Sequence, residues 1–266
     1  LMTGSLGMLA STLPVQWLLP LYGWRGLFWA VAVLLLLAMG LVQAWVPEDE
    51  APGPAPAGPV GGYRAIVAQP IFVRSLPIGF FIYGGLVAVQ SLWAGPWLTR
   101  VAGWSASDAA GGLFTINLCM LFAFMTWGAL MPRLAARGID AHRLMAWGLP
   151  GCLGLMALIV LRPEPAGAGL WALWCVSCTF VALSQPAIGQ AFPAHQAGRA
   201  LSAFNLVIFG GVFCIQWGIG LAVDLLLEAG WSEPRAFRAA FGLFGACCAL
   251  SYLWFLRPPR RWRPRA

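Results

Sequence analysis

The chain has 266 residues, of which 60% are hydrophobic and 9% charged, with a mean hydropathy of +0.78. A water-soluble domain carries about 25% charged residues, so this sequence cannot cover a globule with polar surface, and its apolar stretches must face lipid as well as each other. The formal charge of +7 comes from 16 arginines without a lysine; they are scattered through short loops and a tail, which excludes the clustered basic face of a nucleic-acid binder and points to membrane orientation.

A helix needs about 20 apolar residues to cross the hydrocarbon core. Eight such runs are present, at residues 2–21, 26–46, 75–98, 110–131, 141–161, 168–192, 200–226 and 237–256. The first lacks the charged leader and small-residue cleavage site of a signal peptide. The second runs from Leu27 to Val46 without a charge. Residues 47–74 then form one long linker. Its first part, Pro47 to Gly62, holds five prolines, four glycines and three adjacent acids (Glu48, Asp49, Glu50), a composition that cannot bury a core and predicts a flexible segment. Its second part, Tyr63 to Arg74, is more apolar and suits the membrane surface. The fifth run is short and interrupted by Pro150. The seven cysteines all fall inside apolar runs. Cys175 and Cys178 have the spacing of a metal or redox pair, but no His or acid lies near them in sequence, so they read as small packing residues.

Eight crossings place both chain ends on one side of the membrane. The tail carries Arg257, Arg260, Arg261, Arg263 and Arg265, and the loops on its side carry Arg64, Arg74, Arg133, Arg137, Arg143 and Arg199. That is eleven arginines against five on the other side (Arg25, Arg100, Arg162, Arg235, Arg238). Positive charge is retained in the cytoplasm, so both termini are predicted to be cytoplasmic. Trp24, Trp45, Trp104, Trp171, Trp231 and Trp262 fall near predicted span ends, where an indole can be half wet.

Several local patterns then point to a family. Tyr22-Gly23-Trp24-Arg25-Gly26-Leu27-Phe28 looks like an outer turn between two helices. Gly128, followed by Arg133 and Arg137-Gly138, looks like a degenerate cytoplasmic loop motif. The stretch Arg199 to Asp224, with Asn205, Gly210, Gly211, Gln216 and Gly220, looks like an eleventh helix. With two spans, a long linker, six spans and a basic tail, the chain resembles helices five to twelve of a major facilitator superfamily transporter. The resemblance implies an all-α integral membrane protein, a polytopic bundle of eight helices. Residues 1–46 would be the last two helices of the N-terminal half, 47–74 the central linker, 75–257 the C-terminal six-helix half and 258–266 a basic cytoplasmic tail. It also implies that the first four helices lie outside this sequence, and that the chain is a fragment in the inner membrane of a bacterium. The first span has Gly4, Gly7 and Pro14 but no Gly-Pro-x-x-Gly-Gly, so the drug–proton antiporter signature is not met.

Transporters of this kind bind solute near the bilayer midplane, between halves, on interrupted helices. Intramembrane charge is nearly absent, which leaves any coupling to protons or another ion to residues elsewhere. What remains is neutral polarity at helical spacing. Tyr83, Gln90 and Trp97 recur every seven residues, on one predicted face of the third span. Thr115 and Asn117 lie on the fourth, Ser177 and Ser184 on the sixth with Gln185 and Gln190 beside them. Asn205, Phe209, Val212 and Gln216 share a predicted face of the seventh. Amides supply both donors and acceptors, which suits a small polar or anionic organic solute. Each of these side chains has a plainer role open to it, as a hydrogen bond between neighbouring helices, and Trp97 as an interface anchor. Pro96 and Pro186 interrupt corresponding helices of two inverted triplets, as moving regions or as static kinks. Arg133 and Arg137, with Arg143, are either gating charges or topogenic charge alone.

Three functions compete: a secondary transporter working by alternating access, a membrane enzyme, and a non-transporting sensor or inactive truncated remnant. The enzyme fares worst. Of the two histidines, His142 lies at the loop edge of the fifth run and His195 in a predicted loop, and there is no His-Glu-x-x-His or paired intramembrane Asp. No catalytic residue, metal site or cofactor is therefore expected; the expected partners are the lipid bilayer, a small solute and a coupling ion, with no nucleic acid.

Overall fold

The computed structural model describes residues 2–46, 62–162 and 164–257, so the linker stretch 47–61 and the tail 258–266 lie outside the described residues. Every described element is helical. They are α1 (Met2–Ala10), α2 (Leu13–Trp45), α3 (Tyr63–Val67), α4 (Pro70–Val101), α5 (Ala106–Ala136), α6 (Ala141–Leu161), α7 (Ala168–Ala191), α8 (Ala194–Glu228) and α9 (Glu233–Leu256). Seven, α2 and α4 to α9, are long and apolar enough to cross a membrane.

The difference from eight predicted spans lies at the N-terminus. The run 2–21 is not one helix: it breaks at Ser11 and Thr12, whose hydroxyls bond back to the carbonyls of Met8 (2.8 Å) and Leu9 (2.7 Å). Side chains that offer the backbone such an alternative weaken helical continuity. α1, with nine residues, is too short to cross alone. Within the expected outer turn, Tyr22 to Phe28, the non-helical residue is Gly23, with φ 63° and ψ 168°, a conformation open to glycine and strained for other residues.

The remaining boundaries follow local chemistry. The Ser105 hydroxyl accepts the Asp108 N–H at 3.1 Å and so starts α5. The Asp140 carboxylate accepts the Arg143 N–H at 2.7 Å and starts α6. Both are side-chain N-caps that satisfy otherwise orphaned donors. α4 begins at Pro70, five residues before the predicted span, because Pro at the first helical position needs no N–H partner. The segment Tyr63 to Arg74 forms α3 and the start of α4, and Ile66 of α3 is buried beside α8. Pro150 sits inside α6 without ending it.

α4 to α9 pack as one bundle, with α1 and α2 resting on α5. α2 has no buried residue. Burial concentrates in α4 and α7, whose most apolar stretches are 56% and 61% buried, against 33% or less in the other spanning helices. These two interior helices are also the irregular ones. α4 contains three π-helical turns, Gly79–Tyr83, Val89–Trp93 and Trp97–Val101, and α7 a 3₁₀ turn, Thr179–Leu183. Such backbone survives in a membrane where surrounding protein covers it. The core at one end is aromatic: Trp97 meets Trp171 and Phe241 edge-to-face at centroid distances of 5.4 and 5.3 Å, and Trp171 meets Trp174 at 5.7 Å. Such pairs add roughly 0.5–1.5 kcal/mol each beyond area burial.

The tightest crossing is α4 on α8. A Cβ on Gly84 would lie 2.8 Å from the Ile208 carbonyl oxygen, and one on Gly211 would collide with the Phe80 carbonyl. Small residues let helix backbones meet in this way. Gly218, on the same helix, faces open space.

Candidate functional site

Neutral side chains tie α4 to three neighbours. Gln90, buried, donates from Nε2 to Asn117 Oδ1 of α5 at 2.7 Å, and Asn117 Nδ2 donates to the Leu113 carbonyl at 2.9 Å. Tyr83 donates its hydroxyl to Gln185 Oε1 of α7 at 3.3 Å. Gln185 Nε2 in turn donates to Asn205 Oδ1 of α8 at 2.7 Å. Gln216 of α8 donates to the Ser91 hydroxyl at 3.1 Å, while its own carbonyl accepts the Trp93 indole N–H at 3.1 Å. A polar group left unpaired in a dry interior costs about 1–3 kcal/mol, so each pair holds its helices in register.

Tyr83, Gln90 and Trp97 are all buried, and each has a different partner. Tyr83 reaches α7 and Gln90 reaches α5; Trp97 is fully buried in the aromatic core and donates to the Ala166 carbonyl at 3.0 Å. The seven-residue spacing assumes 3.6 residues per turn, whereas a π turn closes i→i+5 and takes up an extra residue, so spacing alone does not fix a face along α4. Pro96, between the second and third π turns, has no N–H to give the Leu92 carbonyl, and Pro186 lies three residues past the end of the 3₁₀ turn of α7.

The other candidates are more dispersed. Thr115 is exposed and its hydroxyl bonds to Gly111 of its own helix; Ser184 is buried and bonds to Val181. Phe209 is 65% exposed. Arg133 and Arg137 are exposed, Arg133 donating to the Ala129 carbonyl at 2.9 Å, and neither forms an ion pair among the described residues. Three interhelical bonds have little signal in the sequence. These are Ser91 to Gln216, Trp127 to the Thr179 hydroxyl (2.8 Å), and Tyr252 to the Ala146 carbonyl (2.7 Å). Serine and threonine are too common in membrane helices for periodicity to mark them.

Gln185 and Asn205 also open onto space. They line a recess of about 510 Å³ between α7 and the first turns of α8, with Pro186, Gly189, Gln190, Ala197 and Leu201. Its polar groups are three amides, and no lining residue is charged. The wall has donors and acceptors for a hydroxyl, amide or carboxyl group, apolar surface for a carbon skeleton, and no acid or base with which to do chemistry.

The sequence profile described as Major Facilitator Superfamily matches residues 1–216, from α1 through most of α8. The chain belongs to the major facilitator superfamily. It is accordingly a multi-pass membrane transporter in general character, of a family of transporters and not of enzymes. Searches of curated proteins and of solved structures gave no match. As a facilitator, the chain has its proline-interrupted helices, α4 and α7, side by side at the centre of the bundle, and its amide-lined recess on one of them.

Proposed function

We propose that this facilitator carries a small polar or anionic organic solute across the membrane by alternating access, with the recess between α7 and α8 forming part of the solute path. The observation that carries this reading is the hydrogen-bonded chain Tyr83–Gln185–Asn205, which spans α4, α7 and α8 and ends on the wall of a recess. A relay of neutral amides can exchange its internal bonds for bonds to a solute at little net cost, since both states remain satisfied. Reading the kinked N-terminal segment as two spans gives eight crossings, with residues 1–46 before the linker and 75–257 after it. The arginine distribution then favours both termini in the cytoplasm, and the composition favours a bacterial inner membrane. Coupling to protons or another ion is left to groups outside the recess, since Asp224, the acid within the apolar length of α8, is exposed and absent from its wall.

The test is uptake into vesicles across a panel of sugars, amino acids and carboxylates. Gln185→Ala and Asn205→Ala should each lower apparent affinity about tenfold or more for the transported solute, as expected when a hydrogen-bonding partner is removed. Wild-type uptake and affinity in both variants, for every solute transported, would show the recess to be uninvolved.

A further inference from the structure

A second cavity, of about 300 Å³, lies at the end of the bundle where α4 and α6 begin and α9 ends. Its lining includes Arg74, Ser75, His142 and Phe255. Arg74 is held by two contacts to one residue: its Nε donates to the Phe255 carbonyl in the last turn of α9, and its guanidinium lies 5.1 Å from the centre of the Phe255 ring. His142 stacks on the same ring, with centroids 4.6 Å apart and planes inclined by 26°. Phe255 thus sets a guanidinium and an imidazole at fixed places around one space.

A helix-capping role explains the Nε bond. It does not explain the rest. The terminal nitrogens of Arg74 have no hydrogen bond or ion pair among the described residues. His142 Nε2 is buried with no partner, although a buried polar atom without a bond is costly. Asp140, the acid two residues before His142, accepts the Arg143 N–H instead. The remaining walls, Pro70, Ile71, Met145 and Ala187, are apolar. Arg257, two residues after Phe255, adds positive potential at this end.

We propose that this cavity binds a phosphate group, held by the terminal nitrogens of Arg74 as a two-pronged donor and by His142 Nε2–H, with the Ser75 hydroxyl within the same wall. The planar guanidinium fork matches a phosphate bidentately. The phosphate comes either from an anionic phospholipid headgroup or from a soluble phosphate; the recess between α7 and α8 plays no part in it.

Binding of phosphatidylglycerol, phosphatidylcholine and inorganic phosphate to the purified chain in detergent tests this, by native mass spectrometry for the lipids and thermal shift for phosphate. Arg74→Gln and His142→Phe should each weaken binding at least about tenfold, the loss expected for one charge-assisted hydrogen bond. His142→Phe keeps the ring stack, so it reads the site even if Arg74→Gln fails to fold. Arg143→Gln removes an exposed charge nearby and should change nothing. Phosphatidylglycerol bound in preference to phosphatidylcholine, without a phosphate response, identifies a lipid; a phosphate response lost in His142→Phe identifies a soluble ligand. Equal retention of both lipids with no phosphate response, or binding unchanged in His142→Phe, overturns the proposal.

Discussion

Gln90 and Asn117 show how a polar pair behaves when both partners are sealed inside a membrane bundle. Each is buried, and each is the other's interhelical partner. Gln90→Leu should therefore cost about 1 kcal/mol of unfolding free energy, because it orphans the Asn117 carbonyl oxygen. Removing both amides together (Gln90→Leu with Asn117→Leu) should come back to within about 0.5 kcal/mol of wild type. Unfolding in a denaturing detergent titration measures this, and strictly additive losses would mean that the two residues are not coupled. The identity of such residues is legible in the sequence, since Gln and Asn stand out against an apolar background. Their partners are not, because each partner comes from another helix. Trp97 illustrates the limit: its position near a predicted span end suits an interface anchor, and only the fold shows it buried and bonded to the Ala166 carbonyl.

At the scale of elements, the sequence is read most accurately where caps and apolar runs coincide. The run 141–161 matches α6 at both ends, with Asp140 capping one of them. α4 is harder to read, because hydrophobic periodicity presupposes a regular helix and α4 contains three π turns, so the spacing of Tyr83, Gln90 and Trp97 does not give their partners. The break at Ser11–Thr12 escapes for a similar reason: hydropathy sees an unbroken apolar run and not the hydroxyls that turn back on it. The crossing of α4 and α8 makes a sharper prediction. Gly211→Ala should destabilise by about 1–3 kcal/mol, the usual cost of forcing atoms into a filled contact. Gly218→Ala meets nothing within 4 Å and should be neutral or slightly stabilising, since alanine favours helix. Melting temperatures of the two variants in one detergent compare them directly, and equal losses would contradict this packing.

For the molecule as a whole, the proposed orientation places the α5–α6 turn in the cytoplasm and the α6–α7 loop outside. In a background with the native cysteines replaced, Arg137→Cys should be shielded from an impermeant thiol reagent in intact cells. Glu164→Cys, whose parent side chain is 82% exposed, should react readily. The opposite pattern would invert the topology. The distribution of indoles has a consequence of another kind. Trp17, Trp24, Trp29 and Trp45 of α2 are 58–81% exposed, whereas Trp97, Trp171 and Trp174 are at most 2% exposed. In a bilayer the protein should therefore fluoresce as two optical populations: a peripheral set that brominated acyl chains quench, and a central set that they cannot reach. Replacing Trp97 and Trp171 by Phe should remove emission almost wholly from the unquenched fraction, which gives the core its own optical signal inside an intact membrane.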